Sequence, residues 1–378
     1  MRTGIASIPL DYGTCPRWLF EKMVRMGRLI TEAIVYEFGP EEFVRRLANP
    51  FFFQSLGAVL GFDWNSSGLT TTVCGALKEA LRGTERDLGI FVAGGKGKTS
   101  RKTPQQIEDF GLRFGLNFAP KLVYASKLSA KVDSAALQDG FALYHHTFLF
   151  TKSGSWTVLQ QGMNINLKQA RRYHWHSGIL HAKEGKFEPD FVDEPEAAIC
   201  SDVKVKPLNL VAKESSQTRD FSVDLIKENF NELLGDLKKI NQKSQNLKKG
   251  LQTLPFMELP SDRFQPLPIL DFDYRRVEKV LFGAREKNPD DFEDLLAKTS
   301  VGLTTLRALA LVSEVIYGAK PSYSDPVRYS FAHGGKDGYP YPVDREGYEQ
   351  SINIMQKAIA KAKIGQREKM EAFKKIAI

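Results

Sequence analysis

The chain has 378 residues, 42% hydrophobic, 26% charged and 11% aromatic, a balance that excludes a disordered or low-complexity protein. At roughly 100–200 residues per domain its length predicts two domains. Fifty-three basic against 45 acidic residues leave +8, which alone supports only weak attraction to polyanions.

Pro16 opens the first long helix, where Trp18, Leu19, Met23, Met26, Leu29, Ile30, Ala33 and Ile34 recur as a core-facing stripe. Gly39-Pro40 ends it and starts a short helix that stops at Asn49-Pro50. Phe51 to Leu60 is apolar on nearly every face, so a buried helix is expected there. A polar loop from Asp63 to Gly68 precedes a helix over 72–81. Leu88 to Ala93 is short and apolar ahead of two glycines, which suits a buried strand.

Lys96, Lys98, Arg101 and Lys102 crowd the next loop with no acid among them. Gly97-Lys98-Thr99 mimics the end of a P-loop, but Val92 stands where that motif needs a glycine, and the next helix begins near Pro104. No nucleotide cofactor is expected. A flexible cationic clamp for a nucleic-acid backbone is, beside the plainer reading of a solvated loop.

Thr103-Pro104 starts a helical pattern that runs, broken near 115–120, to about Gln138. The period then changes to two over Phe141 to Thr151 and Trp156 to Met163, a β-hairpin around Lys152–Ser155. A three-residue loop would pair His146 with Gln160, and a four-residue loop would pair it with Gln161. Asn166 to about His174 returns to helical character, 182–220 reads as irregular, and Phe221 to Ile240 as a charged helix. Four prolines from Pro255 to Pro268 mark a linker.

The expected fold class is therefore α+β. A mixed domain over 1–254 carries a β-hairpin or small sheet among helices, and a linker spans 255–268. An all-helical domain over 269–378 follows, broken by a glycine-rich loop from Tyr323 to Val343.

The histidines suggest chemistry. Asp139 precedes the hairpin, His145 and His146 lie in its first strand, Gln160 and Gln161 in its second, and Arg171 and His174 on the helix expected next. Neutral imidazole ligates a metal or relays a proton near pH 7, and arginine holds a scissile phosphate. The expected catalytic set is Asp139, His145, His146, Gln161, Arg171 and His174. Asp139, His146 and His174 would bind a divalent ion, Mg²⁺ or Mn²⁺. The bland alternative makes His145 and His146 hydrogen-bonded sheet residues. The order strand, strand, helix is similar to that of the ββα-metal nucleases, although here the first strand runs on past His146.

Residues 289–318 read as two helices joined by a tight hairpin at Ser300-Val301-Gly302. This resembles a helix-hairpin-helix DNA-binding motif. Val301 would plug the space between the helices, and Gly302 would permit the turn. The N–H groups beyond would face a phosphate, with Ser300, Thr304, Thr305 or Arg307 as further donors. Ser300, Leu303 and Thr304 stand where the motif carries glycine, proline and lysine, so its electrostatic contribution is reduced. An ordinary αα-hairpin is the plain reading. In the turn His333 to Gly338, Lys336 is a further candidate phosphate contact.

Cys15, Cys74 and Cys200 have neither zinc nor CxxC spacing, which fits buried thiols in a reducing cytoplasm. No apolar run is long enough for a signal peptide or a membrane span, so a cytoplasmic location off the membrane is expected. Phe51, Phe52 and Phe53 together with Tyr323, Tyr329, Phe331, Tyr339 and Tyr341 offer more large apolar side chains than two small domains need. They predict a homodimer.

Gly57 to Thr72, Phe91 to Pro104, Tyr144 to Trp175 and Ser330 to Asp344 resemble the fingerprint of a prokaryotic family, mainly archaeal and thermophilic, catalogued as a domain of unknown function. The resemblance covers nearly the whole chain and implies a microbial cytoplasmic protein with a DNA-linked role. The expected function is DNA binding with metal-dependent phosphodiester hydrolysis, a nuclease of repair or processing. The alternatives are a non-catalytic DNA-binding or repair-accessory protein and an RNA- or nucleotide-processing enzyme.

Overall fold

The computed structural model describes residues 8–10, 13–61, 66–178, 190–201, 203–248, 272–327, 352–354, 356–357, 359–360 and 369–370. Four helices come first: α1 (Arg17–Phe38), α2 (Pro40–Leu47), α3 (Pro50–Val59) and α4 (Ser67–Leu81). The Asn49 side chain caps α3 by accepting the Phe51 and Phe52 N–H groups. The short α5 (Glu85–Leu88) leads into β1 (Ile90–Lys96), a 3₁₀ turn (Gly97–Lys102), α6 (Thr103–Phe114) and α7 (Ala119–Lys131).

A π-helical turn (Val132–Ala136) ends α7 and leads to β2 (Leu137–Gln138), β3 (Ala142–Thr151), β4 (Trp156–Asn164), β5 (Gln169–His176), β6 (Ala198–Cys200) and β7 (Leu208–Asn209). The remaining helices are α8 (Ser216–Lys227), α9 (Phe230–Lys248), α10 (Tyr274–Lys287), α11 (Phe292–Lys298) and α12 (Leu303–Tyr317). The class is α+β, as the sequence predicts.

Strands β1-β3-β4-β5-β6 form one antiparallel sheet, and β2 pairs with β7. Side chains alternate between its faces. Phe91, Phe148, Phe150, Trp156, Val158, Tyr173 and Trp175 share one core with residues of α7, α8 and α9. Ile90, Val92, Leu149 and Leu159 share another with α1 to α4. Burial on both faces explains why runs such as Phe148-Leu149-Phe150 are continuously apolar. Burying each large side chain contributes about 1.5–3 kcal/mol.

Several expectations need correction. Residues 169–176 form β5, not a helix. With β-branched residues absent from Gln169-Ala-Arg-Arg-Tyr-His-Trp-His, pairing with β4 over its whole length overrides the local pattern. The three-strand order removes the similarity to ββα-metal nucleases. The segment 221–240 is divided between α8 and α9. Phe51, Phe52 and Phe53 are buried within the fold, so they lend no support to a dimer interface. The expected linker, 255–268, lies outside the described residues. Beyond it, Val277, Leu281, Leu295, Val301 and Leu309 enter the same core as the sheet.

Candidate functional site

The site is built where β1 ends against β3. Gly94 lies opposite Thr147, Gly95 opposite His146 and Lys96 opposite His145. Gly94 has φ +88°, and a Cβ there would stand 2.2 Å from the His146 carbonyl oxygen and 2.5 Å from Thr103 Oγ1. Only glycine lets this strand end, β3 and the start of α6 meet. Gln106 Oε1 accepts the Gly94 N–H at 2.9 Å, and Lys78 Nζ donates to the Gly94 carbonyl at 2.6 Å. Lys96, Lys98, Arg101 and Lys102 are all exposed, and they sit on the strand end and a 3₁₀ turn rather than on an irregular loop. Thr103 does not cap α6; its hydroxyl donates to the Ser100 carbonyl at 2.7 Å.

A cavity of about 350 Å³ opens beside this turn. Ser100 and Arg101 come from the turn, Ser126 and Lys127 from α7, Tyr144 and His146 from β3. Ser134 and Gln160 also line it, and among the described residues no carboxylate does. Two cations without an acid favour an anionic guest. The volume suits a group of nucleotide size.

His146 is fixed by a chain of hydrogen bonds. Gln160 Nε2 donates to Asp133 Oδ2 and, at 3.3 Å, to the Ser129 carbonyl. Gln160 therefore turns its Oε1 to His146 Nδ1, 2.9 Å away, and Nδ1 must carry the ring proton. Nε2 is left as an acceptor, and the Ser126 hydroxyl donates to it at 2.9 Å. Burial lowers the His146 pKa to about 4, against the pull of the Gln160 bond. The ring is neutral near pH 7. Burial and the adjacent Glu196 raise the Asp133 carboxyl, against the Trp175 Nε1–H that donates to its Oδ2 at 2.8 Å.

The other expected catalytic residues divide between the two faces. A bulge lies between Leu143 and His145; Tyr144 and His145 both border the cavity, while their side chains bond to Gln161 and Thr147 on the α4 face. There Gln161 donates to the Tyr144 hydroxyl and, at 2.8 Å, to the Ser67 carbonyl, while Thr70 donates to Gln161. His145 Nε2 meets Thr147 Oγ1 at 2.9 Å, and burial lowers its pKa to about 3. His174 lies on the same face, beside the Leu47 carbonyl at 3.3 Å and the Phe53 ring. Burial, with Arg172 nearby, holds it well below the usual range. His145 and His146 are thus adjacent in sequence but face opposite sides, and the register His146–Gln160 is the one for a three-residue loop.

Asp139 and Arg171 do come together, in a buried clasp. Arg171 Nη1 donates to Asp139 Oδ2 at 2.9 Å, Nη2 donates to Asp325 Oδ2 at 2.9 Å, and the Tyr173 hydroxyl donates to Asp139 at 2.7 Å. Burial pushes the Asp139 carboxyl up against the pull of Arg171 and Tyr173. Burial also opposes the Arg171 charge, but Asp139 and Asp325 outweigh it and hold the guanidinium protonated. Asp139, His146 and His174 do not form a ligand set, because His174 is across the sheet from the other two. Among the described residues no three His, Cys, Asp or Glu side chains are grouped to hold a metal ion.

The helical hairpin has its expected outline, with Val301 fully buried between α11 and α12. Two of its four side-chain donors are withdrawn from the surface. Arg307 Nε donates to Gln138 Oε1 at 2.8 Å, Gln138 Nε2 donates to the Leu303 carbonyl at 2.9 Å, and Thr305 is buried. Ser300 and Thr304 are exposed. Gly302 has φ −132°, a conformation open to any residue, so the turn does not require a glycine. Acidic Asp290, Asp291 and Asp294 stand at the start of α11. Lys336 and the aromatic residues Tyr329, Phe331, Tyr339 and Tyr341 lie outside the described residues.

Ser126, Lys127 and Asp133 were not expected at the site, and Gln160 had a partner but no role. The signal is a polar stripe, Ser126, Ser129 and Asp133, spaced by three and four residues along α7 and the π-helical turn that ends it.

No helix of the described residues is long and apolar enough to cross a membrane. No curated protein and no solved structure matches the chain. A family model described as "Protein of unknown function (DUF763)" matches residues 4–343, and the chain belongs to that family.

Proposed function

We propose that this protein binds a nucleic-acid backbone, DNA foremost, along its basic turn and hydrolyses phosphodiester bonds in the adjoining cavity. One observation carries the reading: the strand end and turn bearing Lys96, Lys98, Arg101 and Lys102 also wall a cavity lined by Lys127 and His146 and, among the described residues, by no carboxylate. Such cations contact phosphates and read charge rather than sequence. The exposed hairpin residues Ser300 and Thr304 supply a secondary contact. Asp139, His146 and His174, divided between the faces, do not fit a shared Mg²⁺ or Mn²⁺ ion.

A non-catalytic DNA-binding role is the second reading. It is favoured by the burial of His146 and the bonding of both its ring nitrogens inside the fold. Incubating the full chain with linear DNA, circular DNA or RNA, with Mg²⁺ or Mn²⁺ and with EDTA, separates the two. Nicking or degradation is the expected result. A mobility shift without cleavage in any arm supports the binder, and cleavage confined to an RNA arm moves the substrate to RNA.

A further inference from the structure

The buried hydroxyls of the helices set a standard for Ser126. Thr31 donates to the Gly27 carbonyl at 2.7 Å, and Ser222 to the Thr218 carbonyl at 2.7 Å, each one turn back along its own helix. This is how a helical hydroxyl is ordinarily satisfied inside a core. Ser126, like Thr70 and Thr218, reaches off its own helix, and of these three it alone meets a histidine. Its hydroxyl crosses from α7 to the sheet and donates to the unprotonated Nε2 of His146 at 2.9 Å, at the wall of the cavity.

The opposite edge of that imidazole is held by Gln160, which is held in turn by Asp133 and the Ser129 carbonyl. A hydroxyl, a base accepting its proton and a group orienting the base are the parts of an activated nucleophile. Here a carboxamide holds the ring, with a carboxyl behind it. Arg101 and Lys127 line the same cavity, where they would face the charge of a phosphoryl group.

We infer that Ser126 is a nucleophile and His146 its general base, so that cleavage passes through a covalent phosphoseryl intermediate; the substrate class rests on the phosphodiester reading above. As Ser126 Oγ bonds to phosphorus, its proton passes to His146 Nε2. The bond from phosphorus to the leaving nucleotide oxygen breaks, and that oxygen takes the proton from Nε2. Water then attacks phosphorus and gives its proton to Nε2. The Oγ–P bond breaks, and Oγ recovers the proton. The sum is hydrolysis of one phosphodiester, with serine and histidine restored.

The test uses the full chain, a fluorophosphonate probe and DNA. The Ser126 oxygen should displace fluoride from the probe, giving a mass increase on the peptide that contains Ser126. The adduct should be lost in Ser126→Ala and His146→Gln and kept in Ser222→Ala, each variant checked for native melting. Ser126→Ala should also lower cleavage by about 10³-fold or more while leaving DNA affinity unchanged. A natively folded chain that acquires no adduct at Ser126, or Ser126→Ala cleaving DNA at the wild-type rate, overturns the inference and leaves the nuclease reading standing. Labelling at Ser126 in a chain that neither binds nor cleaves nucleic acid keeps the nucleophile and removes the phosphodiester reading.

Discussion

Gly94 lies so close to His146 that a methyl group on its α-carbon would stand 2.2 Å from the His146 carbonyl oxygen. This close approach joins the end of β1 to the strand that carries the histidines, and Thr103 at the start of α6 closes it from the other side. Gly94→Ala should therefore destabilise the protein by on the order of 3 kcal/mol, because backbone cannot move aside cheaply and φ is positive. Gly302→Ala is the contrast. With negative φ and no described atom within 4 Å of the added carbon, it should cost under about 1 kcal/mol, an N-cap effect. Urea denaturation of both variants checks this, and a larger loss at Gly302 would contradict it.

Arg171 ties the sheet to Asp325, far along the chain. Arg171→Met leaves Asp139 and Asp325 buried without their cation and should cost about 3–5 kcal/mol. Hydrogen exchange should show the loss in β5 and around Val205, whose N–H donates to Asp325. A variant as stable as the wild type would mean that the clasp is not formed.

Stability should fall on mild acidification. His145, His146 and His174 are buried, and burial lowers the folded pKa of each, to about 3 and about 4 for the first two. An unfolded histidine titrates near 6.5. Below that the unfolded chain binds protons that the folded chain declines, so the stability present above pH about 6.5 is lost as pH falls toward the folded values. Each imidazole contributes about 1.4 kcal/mol per pH unit. Asp133 and Asp139, raised by burial, act the other way: their contribution is present at low pH and lost as pH rises through their folded values. His176, whose pKa burial also lowers, joins the other three histidines; four imidazoles act against two carboxyls, so the urea midpoint should be lower at pH 5 than at pH 7. An equal or higher midpoint at pH 5 would show that these rings are not buried neutral.

Local chemistry made much of this legible in the sequence. The proline and glycine stops around α1 to α3, the strand before Gly94-Gly95, the hairpin at Lys152–Ser155 and the plug Val301 all follow from short-range signals. What escaped was set by long-range pairing. Nothing in Gln169–His176 announces a strand until β4 is beside it, and the bulge at Tyr144 cannot be read from spacing alone. The same limit hid the site. His145 and His146 look like one cluster in the sequence, yet strand alternation sends them to opposite faces. His146 finds its partners in Ser126 on α7 and Gln160 on β4, and Asp133 on the turn after α7 holds Gln160 in place.

The central claim is that nucleic-acid backbone is gripped at the turn beside the cavity. It is tested most directly by the salt dependence of DNA affinity in the full chain and in the variant with Lys96, Lys98, Arg101 and Lys102 all changed to Gln. The account predicts a wild-type affinity that falls steeply between low and moderate salt. In the variant the slope of log affinity against log salt should be shallower by about 0.9 for each phosphate no longer neutralised, about 3.6 for four. An unchanged slope and affinity in a natively folded variant would contradict it.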